Sequence, residues 1–110
     1  MGRVTVTYHD LSATERDTLL GAATADATTG DRPHKGDVFD AVNDIAGWTV
    51  SRPTVYSAID RLADAGLLRV SPINDRAQGV TLTPTGVHLL HDAADRLKDA
   101  ATGDYNEVDP

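Results

Sequence analysis

The 110-residue chain contains no cysteine, which excludes disulfides, thiolate-ligated zinc and any thiol redox switch within it. It also contains no long apolar run. None approaches the ~20 residues needed to cross a bilayer, and the first residues lack the charged-then-apolar order of a secretory signal. A cytoplasmic location without membrane association is the expectation. No internal repeat is present, and no nucleophile–base pair, metal-ligand spacing or phosphate loop stands out. An enzyme is therefore not expected, and neither is a cofactor. The length suits one compact domain, since domains of roughly 100–150 residues are the commonest.

Lysine is almost missing as well. Of the 10 basic residues 8 are Arg, and of the 17 acidic residues 15 are Asp, for a net charge of −7. With many small Ala and Thr residues, this balance resembles that of proteins from extreme halophiles, whose short carboxylates hold water and cations at multimolar salt; an ordinary acidic domain is the alternative. Acidic chains are poor ligands for phosphate at ordinary salt. At 1 M salt, however, the Debye length shrinks to ~3 Å, and local contacts outweigh global charge. The charge is also unevenly spread. Residues 51–83 carry Arg52, Arg61, Arg69 and Arg76 against Asp60, Asp64 and Asp75, a net of 4 − 3 = +1, and the rest carries 6 − 14 = −8.

Along the chain, residues 1–10 include the β-branched stretch Arg3 to Tyr8 and read as an arm or short strand. Ser12-Ala13-Thr14-Glu15 is a capping box that starts a helix near residue 13, with Leu19, Leu20, Ala22 and Ala23 as its buried face. Thr24 to Pro33 reads as the loop that ends it. A second helix fits 35–46, with Val38, Phe39, Val42, Ile45 and Ala46 as its apolar stripe and Gly47 as its breaker. Ser51 caps a third helix that has Pro53 in its first turn and stops at Gly66. Leu68–Ile73 and Val80–Thr83 read as a hairpin around the polar stretch Asn74–Gly79. Thr83-Pro84 opens a fourth helix reaching about Ala101, and 102–110 reads as a disordered acidic tail.

Helix, helix, short turn, helix and hairpin is the order of a winged helix-turn-helix, a mainly α domain with a small β-hairpin, here spanning 11–101. The stretch Thr54-Val55-Tyr56-Ser57-Ala58-Ile59-Asp60-Arg61-Leu62-Ala63-Asp64-Ala65-Gly66-Leu67-Leu68 resembles the recognition helix and its exit in PadR-like and MarR-like regulators. Asn74-Asp75-Arg76 followed by Leu82-Thr83-Pro84-Thr85-Gly86 is similar to the MarR-like wing and the start of the helix after it. The resemblance implies a DNA-binding transcription regulator. Helical spacing agrees with it: Val55, Ala58, Ile59 and Leu62 share one face, and the opposite face offers hydroxyls and guanidinium groups. Thr54, Ser57 and Arg61 are expected at base edges, Ser51, Arg52 and Tyr56 mainly at phosphates, and Arg76 with Gln78 at a minor groove. Asp75 could instead hold Arg76 in a surface ion pair. Asp60 on the same face needs Arg61, a cytosine or a cation to be tolerated beside phosphates.

In the fourth helix Val87, Leu90, Ala94, Leu97 and Ala101 recur at three- and four-residue steps, and Leu89 and Ala93 widen the stripe beyond what a small core covers. A homodimer joined by this helix is expected, and with it a palindromic operator. His88, His91, Asp92 and Asp95 have helical spacing that could hold a metal, but they read better as a solvated, salt-adapted face. Trp48 reads as a core plug or the wall of a small pocket. The competing function is a winged-helix protein-interaction module in a transcription or replication assembly, which would not need Arg52, Arg61 and Arg76 on one surface.

Overall fold

The structure is a computed structural model that describes residues 7–29, 32–47 and 49–108, with His9, Thr28, Thr29 and 102–108 described by backbone alone. A 3-10 turn, Tyr8–Asp10, is followed by α1 (Ala13–Thr29), α2 (Lys35–Ala46), α3 (Arg52–Asp64), β1 (Leu68–Pro72), β2 (Gln78–Leu82) and α4 (Pro84–Val108). Most of the expected arm, and Trp48, lie outside the described residues.

Local chemistry sets each helix boundary. The Ser12 N–H donates to Glu15 Oε1 at 2.9 Å and the Glu15 N–H to Ser12 Oγ at 3.2 Å, closing the capping box. At the end of α2, Gly47 adopts φ 77°, and after α3 Gly66 adopts φ 82°, left-handed conformations that side chains rarely take. Ser51 Oγ accepts from the Thr54 N–H at 3.3 Å. Thr83 ties the hairpin to α4: its hydroxyl donates to Gly66 O at 2.6 Å and accepts from the Gly86 N–H at 3.0 Å.

The core is the place where α1, α2 and α3 meet the hairpin. Leu19, Val38, Val42, Val55, Ile59, Leu62, Leu67 and Val80 are buried there, each contributing about 1.5–3 kcal/mol relative to exposure. The buried face of α3 is Val55, Ala58, Ile59 and Leu62, as the sequence spacing predicts. β1 pairs with β2 antiparallel, Leu68 opposite Leu82 and Pro72 opposite Gln78. Together these elements form a winged helix-turn-helix. The hairpin is also moored to the start of α2, since the Val80 N–H donates to Pro33 O at 2.8 Å and the Arg32 guanidinium donates to Ser71 Oγ at 2.8 Å.

Several elements differ from the sequence expectation. α1 continues to Thr29, through part of the expected loop, because Thr24 to Thr29 contains no proline or glycine to stop it. Leu20 is 40% exposed and Ile45 36%, because the packed stripes are narrower than those read from the sequence. Gln78 is the first residue of β2 instead of a turn residue, because its partner Pro72 extends the ladder. The helical backbone of α4 runs on to Val108, past the expected end at Ala101 and through most of the segment expected to be a disordered tail, since no proline interrupts it before Pro110.

A Cβ on Gly86 would collide with the Leu67 carbonyl oxygen, whereas at Gly36 the nearest group is Arg52 Nη1 at 4.0 Å. Gly86→Ala is therefore expected to lower the unfolding free energy by about 2 kcal/mol. Gly36→Ala should not. Chemical denaturation of the two variants checks the contrast, and equal stabilities would contradict the packing described for α4.

Candidate nucleic-acid interface

Burying one face of α3 leaves the opposite one to solvent. Thr54, Ser57, Asp60 and Arg61 are all exposed there. The orientation of α3 against α2 is fixed by Asn43, whose Oδ1 accepts from the Val50 N–H at 2.6 Å and whose Nδ2 donates to Phe39 O at 3.2 Å. One side chain thus closes the turn of the helix-turn-helix, a role that nothing in the sequence pattern marked.

An open cleft of about 510 Å³ lies between the start of α2, the start of α3 and the wing. It brings together four of the residues expected to touch DNA, namely Arg52, Tyr56, Arg76 and Gln78. Arg52 is held in place: its Nη1 donates to the Tyr56 hydroxyl at 3.1 Å, and its guanidinium sits 4.5 Å from the centre of the Phe39 ring. Cation–π contact of this kind contributes about 0.5–1 kcal/mol at exposed sites, enough to limit the rotamers the guanidinium samples. Lys35, which the sequence reading passed over, lines the same cleft. Its ammonium lies 5.3 Å from the Tyr56 ring centre and 3.5 Å from Asp60 Oδ1. The backbone start of α2 adds the positive end of a helix dipole. Asp37, which caps that start by accepting from the His34 N–H at 2.8 Å, and Asp40 oppose these charges within the cleft.

Arg61 is exposed beside Thr54 and Ser57, but its Nε donates to Glu15 Oε2 at 2.8 Å, because α1 packs beside the end of α3 and Glu15 offers a carboxylate there. Asp60 is balanced by Lys35 and not by Arg61. At the wing tip Asn74 organises the turn, its Oδ1 accepting from the N–H groups of Arg76 and Ala77 at 2.8 and 3.0 Å. No Asp75–Arg76 ion pair occurs among the described residues. Ser51 and Thr54 share a hydrogen bond of 2.7 Å between their hydroxyls, so the expected base-reading hydroxyl of Thr54 also serves the cap. Among the described residues no group of three or more His, Asp or Glu side chains is placed to hold a metal, and no helix is long and apolar enough to cross a membrane.

No protein-family profile matches the chain, and no curated protein matches it in sequence. Its fold does match solved structures. MepR from Staphylococcus aureus, a transcription regulator of the multidrug efflux pump MepA, superposes with a TM-score of 0.71 at 15% identity, over 91% of this chain and 67% of MepR. RosR from H. salinarum matches with a TM-score of 0.61 at 17% identity, over 90% and 97% of the two chains. BpsR from Bordetella bronchiseptica, whose DNA binding is regulated by 6-hydroxynicotinic acid, matches with a TM-score of 0.62 at 24% identity, over 91% and 64%. The chain thus has the winged-helix fold of these proteins and spans about two thirds of MepR and BpsR.

Glu15 serves both the α1 cap and Arg61. The Ser12 backbone N–H, and after it the Arg61 guanidinium, hold its carboxyl below the ordinary value of 4.5. A carboxyl with a depressed folded-state pKa contributes stability above its unfolded value and loses it as pH falls through the folded one. At pH 7 Glu15→Ala should lower the unfolding free energy by about 1 kcal/mol. That deficit should shrink as pH drops below 4.5. Urea titrations of parent and variant at several pH values check this, and a deficit that does not change with pH would contradict it.

Proposed function

We propose that this protein is a sequence-specific transcription regulator that binds double-stranded DNA in the cytoplasm as a homodimer and is adapted to high salt. The observation that carries the reading is the single cleft uniting Arg52 and Tyr56 of α3 with Arg76 and Gln78 of the wing, next to the exposed Thr54 and Ser57. In this reading α3 enters the major groove. Thr54 and Ser57 meet base edges, Ser51, Arg52 and Tyr56 hold phosphates, and Arg76 with Gln78 reaches the flanking minor groove. Lys35 joins the phosphate contacts. Arg61 reads a base only by leaving Glu15. Val87 at 43% and Leu97 at 67% exposure support dimerisation through Val87, Leu90, Ala94, Leu97 and Ala101. A two-fold dimer would present its recognition helices to half-sites of a palindromic operator about 34 Å apart.

The charge balance supports the salt adaptation. Asp37 and Asp40 in the cleft are seats for cations taken up as DNA approaches, offsetting the counterions that basic residues release. An ordinary binder with 6–10 phosphate contacts loses about 10³–10⁵ in affinity between 50 and 200 mM salt. Here affinity should stay flat or rise between about 1 and 3 M KCl, where screening has removed long-range repulsion.

Operators recovered by a genome-wide DNA pull-down, followed by anisotropy titrations in molar KCl, test the reading. Arg52→Ala and Arg76→Ala should each weaken binding about tenfold or more, and Ser57→Ala should relax the sequence preference. Arg61→Ala should cost less. If the Arg52, Arg61 and Arg76 variants all bind as the parent does, the protein is instead an interaction module of a transcription or replication assembly. A steep conventional loss of affinity with salt would reject the cation-uptake component alone.

A further inference from the structure

Arg61 lies two turns beyond Thr54 on the outer face of α3, and its Nε donates to Glu15 Oε2 at 2.8 Å. That contact uses only one edge of the guanidinium. Of the five N–H donors that an arginine carries, those of the two terminal amino groups have no acceptor among the described residues. The Arg61 side chain is 54% exposed and that of Glu15 17%, so the arginine is the member of the pair that meets solvent. Glu15 cannot follow it outward. Its other oxygen, Oε1, accepts from the Ser12 N–H at 2.9 Å, which ties the carboxylate to the first turn of α1. The neighbouring Asp60 is engaged by Lys35, and no ion pair joins Arg61 to Asp64 among the described residues.

We infer that Glu15 is a positioning residue for DNA binding, holding Arg61 by its Nε so that the terminal amino groups meet a backbone phosphate. The inference rests on the DNA-binding reading proposed above and deepens it. Helix geometry selects a phosphate over a base. A recognition helix presents its N-terminal residues to base edges, and Thr54 and Ser57 occupy that part of α3. Arg61 stands about 10 Å further along the helix axis, where a helix rising from the floor of a groove about 12 Å wide approaches the phosphates at its wall. The chemistry of the side chain agrees. A guanidinium has two usable edges, so one stays on the carboxylate while the other donates to phosphate oxygens, which a single ammonium cannot do. Fixing the rotamer before association also reduces the ordering cost of binding. The competing role for Glu15 is a decoy that keeps Arg61 from the duplex. A decoy would have to occupy the donors that a phosphate needs, and those are the ones left open to solvent.

Anisotropy titrations of the full chain with a recovered operator duplex in molar KCl test this, with circular dichroism to confirm folding. Arg61→Ala should weaken binding about fivefold, and by a similar factor on operators of altered sequence, as the loss of a phosphate contact does. Glu15→Ala should weaken it about threefold in the parent and not at all in the Arg61→Ala background. Glu15→Gln, whose amide oxygen still accepts from Arg61, should recover most of that loss. Arg61→Lys, with its one ammonium spent on Glu15, should bind no better than Arg61→Ala. Ser12→Ala removes a cap hydrogen bond without touching the ion pair and should bind as the parent does. Should Glu15→Ala fail to fold, Glu15→Asp, which keeps an acid in the first turn but falls short of Arg61, carries the test with the same expected loss. Tighter binding by Glu15→Ala or Glu15→Asp would make Glu15 a decoy and overturn the inference. So would parent-like binding by Arg61→Lys, an equal loss in Ser12→Ala, or losses that simply add in the double variant. The two levels fail separately. If Arg52→Ala weakens binding and the Glu15 variants do not, only the positioning role falls; if the Arg52, Arg61 and Arg76 variants all bind as the parent does, the DNA-binding reading falls with it.

Discussion

The structure depends on one constraint: α3 has to bury Val55, Ala58, Ile59 and Leu62 against α1, α2 and the hairpin. At about 100° per residue, satisfying that face determines where every other side chain of α3 points. Thr54 and Ser57 are turned outward, Arg52 and Tyr56 toward the start of α2, and Arg61 toward α1. The wing follows from the same packing. Leu67, Leu68 and Val80 are buried beside α3, and the bond from Val80 to Pro33 holds the hairpin so that Arg76 and Gln78 stand over the cleft. The site is therefore a by-product of core formation, built on rigid elements and needing no dedicated loop.

The order of elements was legible in the sequence because its punctuation is strong. The Ser12–Glu15 capping box, Ser51 with Pro53, the left-handed glycines 47 and 66, and Thr83 with Pro84 each act locally, so a linear reading recovers them. The core face of α3 was legible for the same reason. What escaped is tertiary. Arg61 shares its outward position with Thr54 and Ser57 on a helical wheel, and only the packing of α1 reveals Glu15 beside it. Lys35, Phe39 and Asn43 carry no motif, and their roles appear once α2 and α3 are brought together. The wing turn looked like a place for an Asp75–Arg76 pair, but Asn74 satisfies the backbone there first.

Charge is distributed with the same logic. Within the cleft Arg52 and Lys35 are restrained by ring faces and hydrogen bonds, while the carboxylates Asp37 and Asp40 remain alongside them. In the proposed reading, such an arrangement works in a medium where long-range attraction is screened and binding relies on short-range geometry. α4 presents the complementary case. Its residues Leu89 and Ala93 are buried and Leu90 packs against the core, attaching it to the body, while Val87 and Leu97 of the same stripe stay exposed.

In the proposed function, the outer face of α3 and the wing form one surface that meets a duplex. Amide chemical-shift mapping of the full chain in molar KCl, on titration with a recovered operator duplex, tests it most directly. The shifts should concentrate at residues 34–36, 51–57 and 76–78 and spare the exposed face of α4. Shifts centred on α4 or on the outer side of α1, with α3 and the wing unmoved, would contradict it.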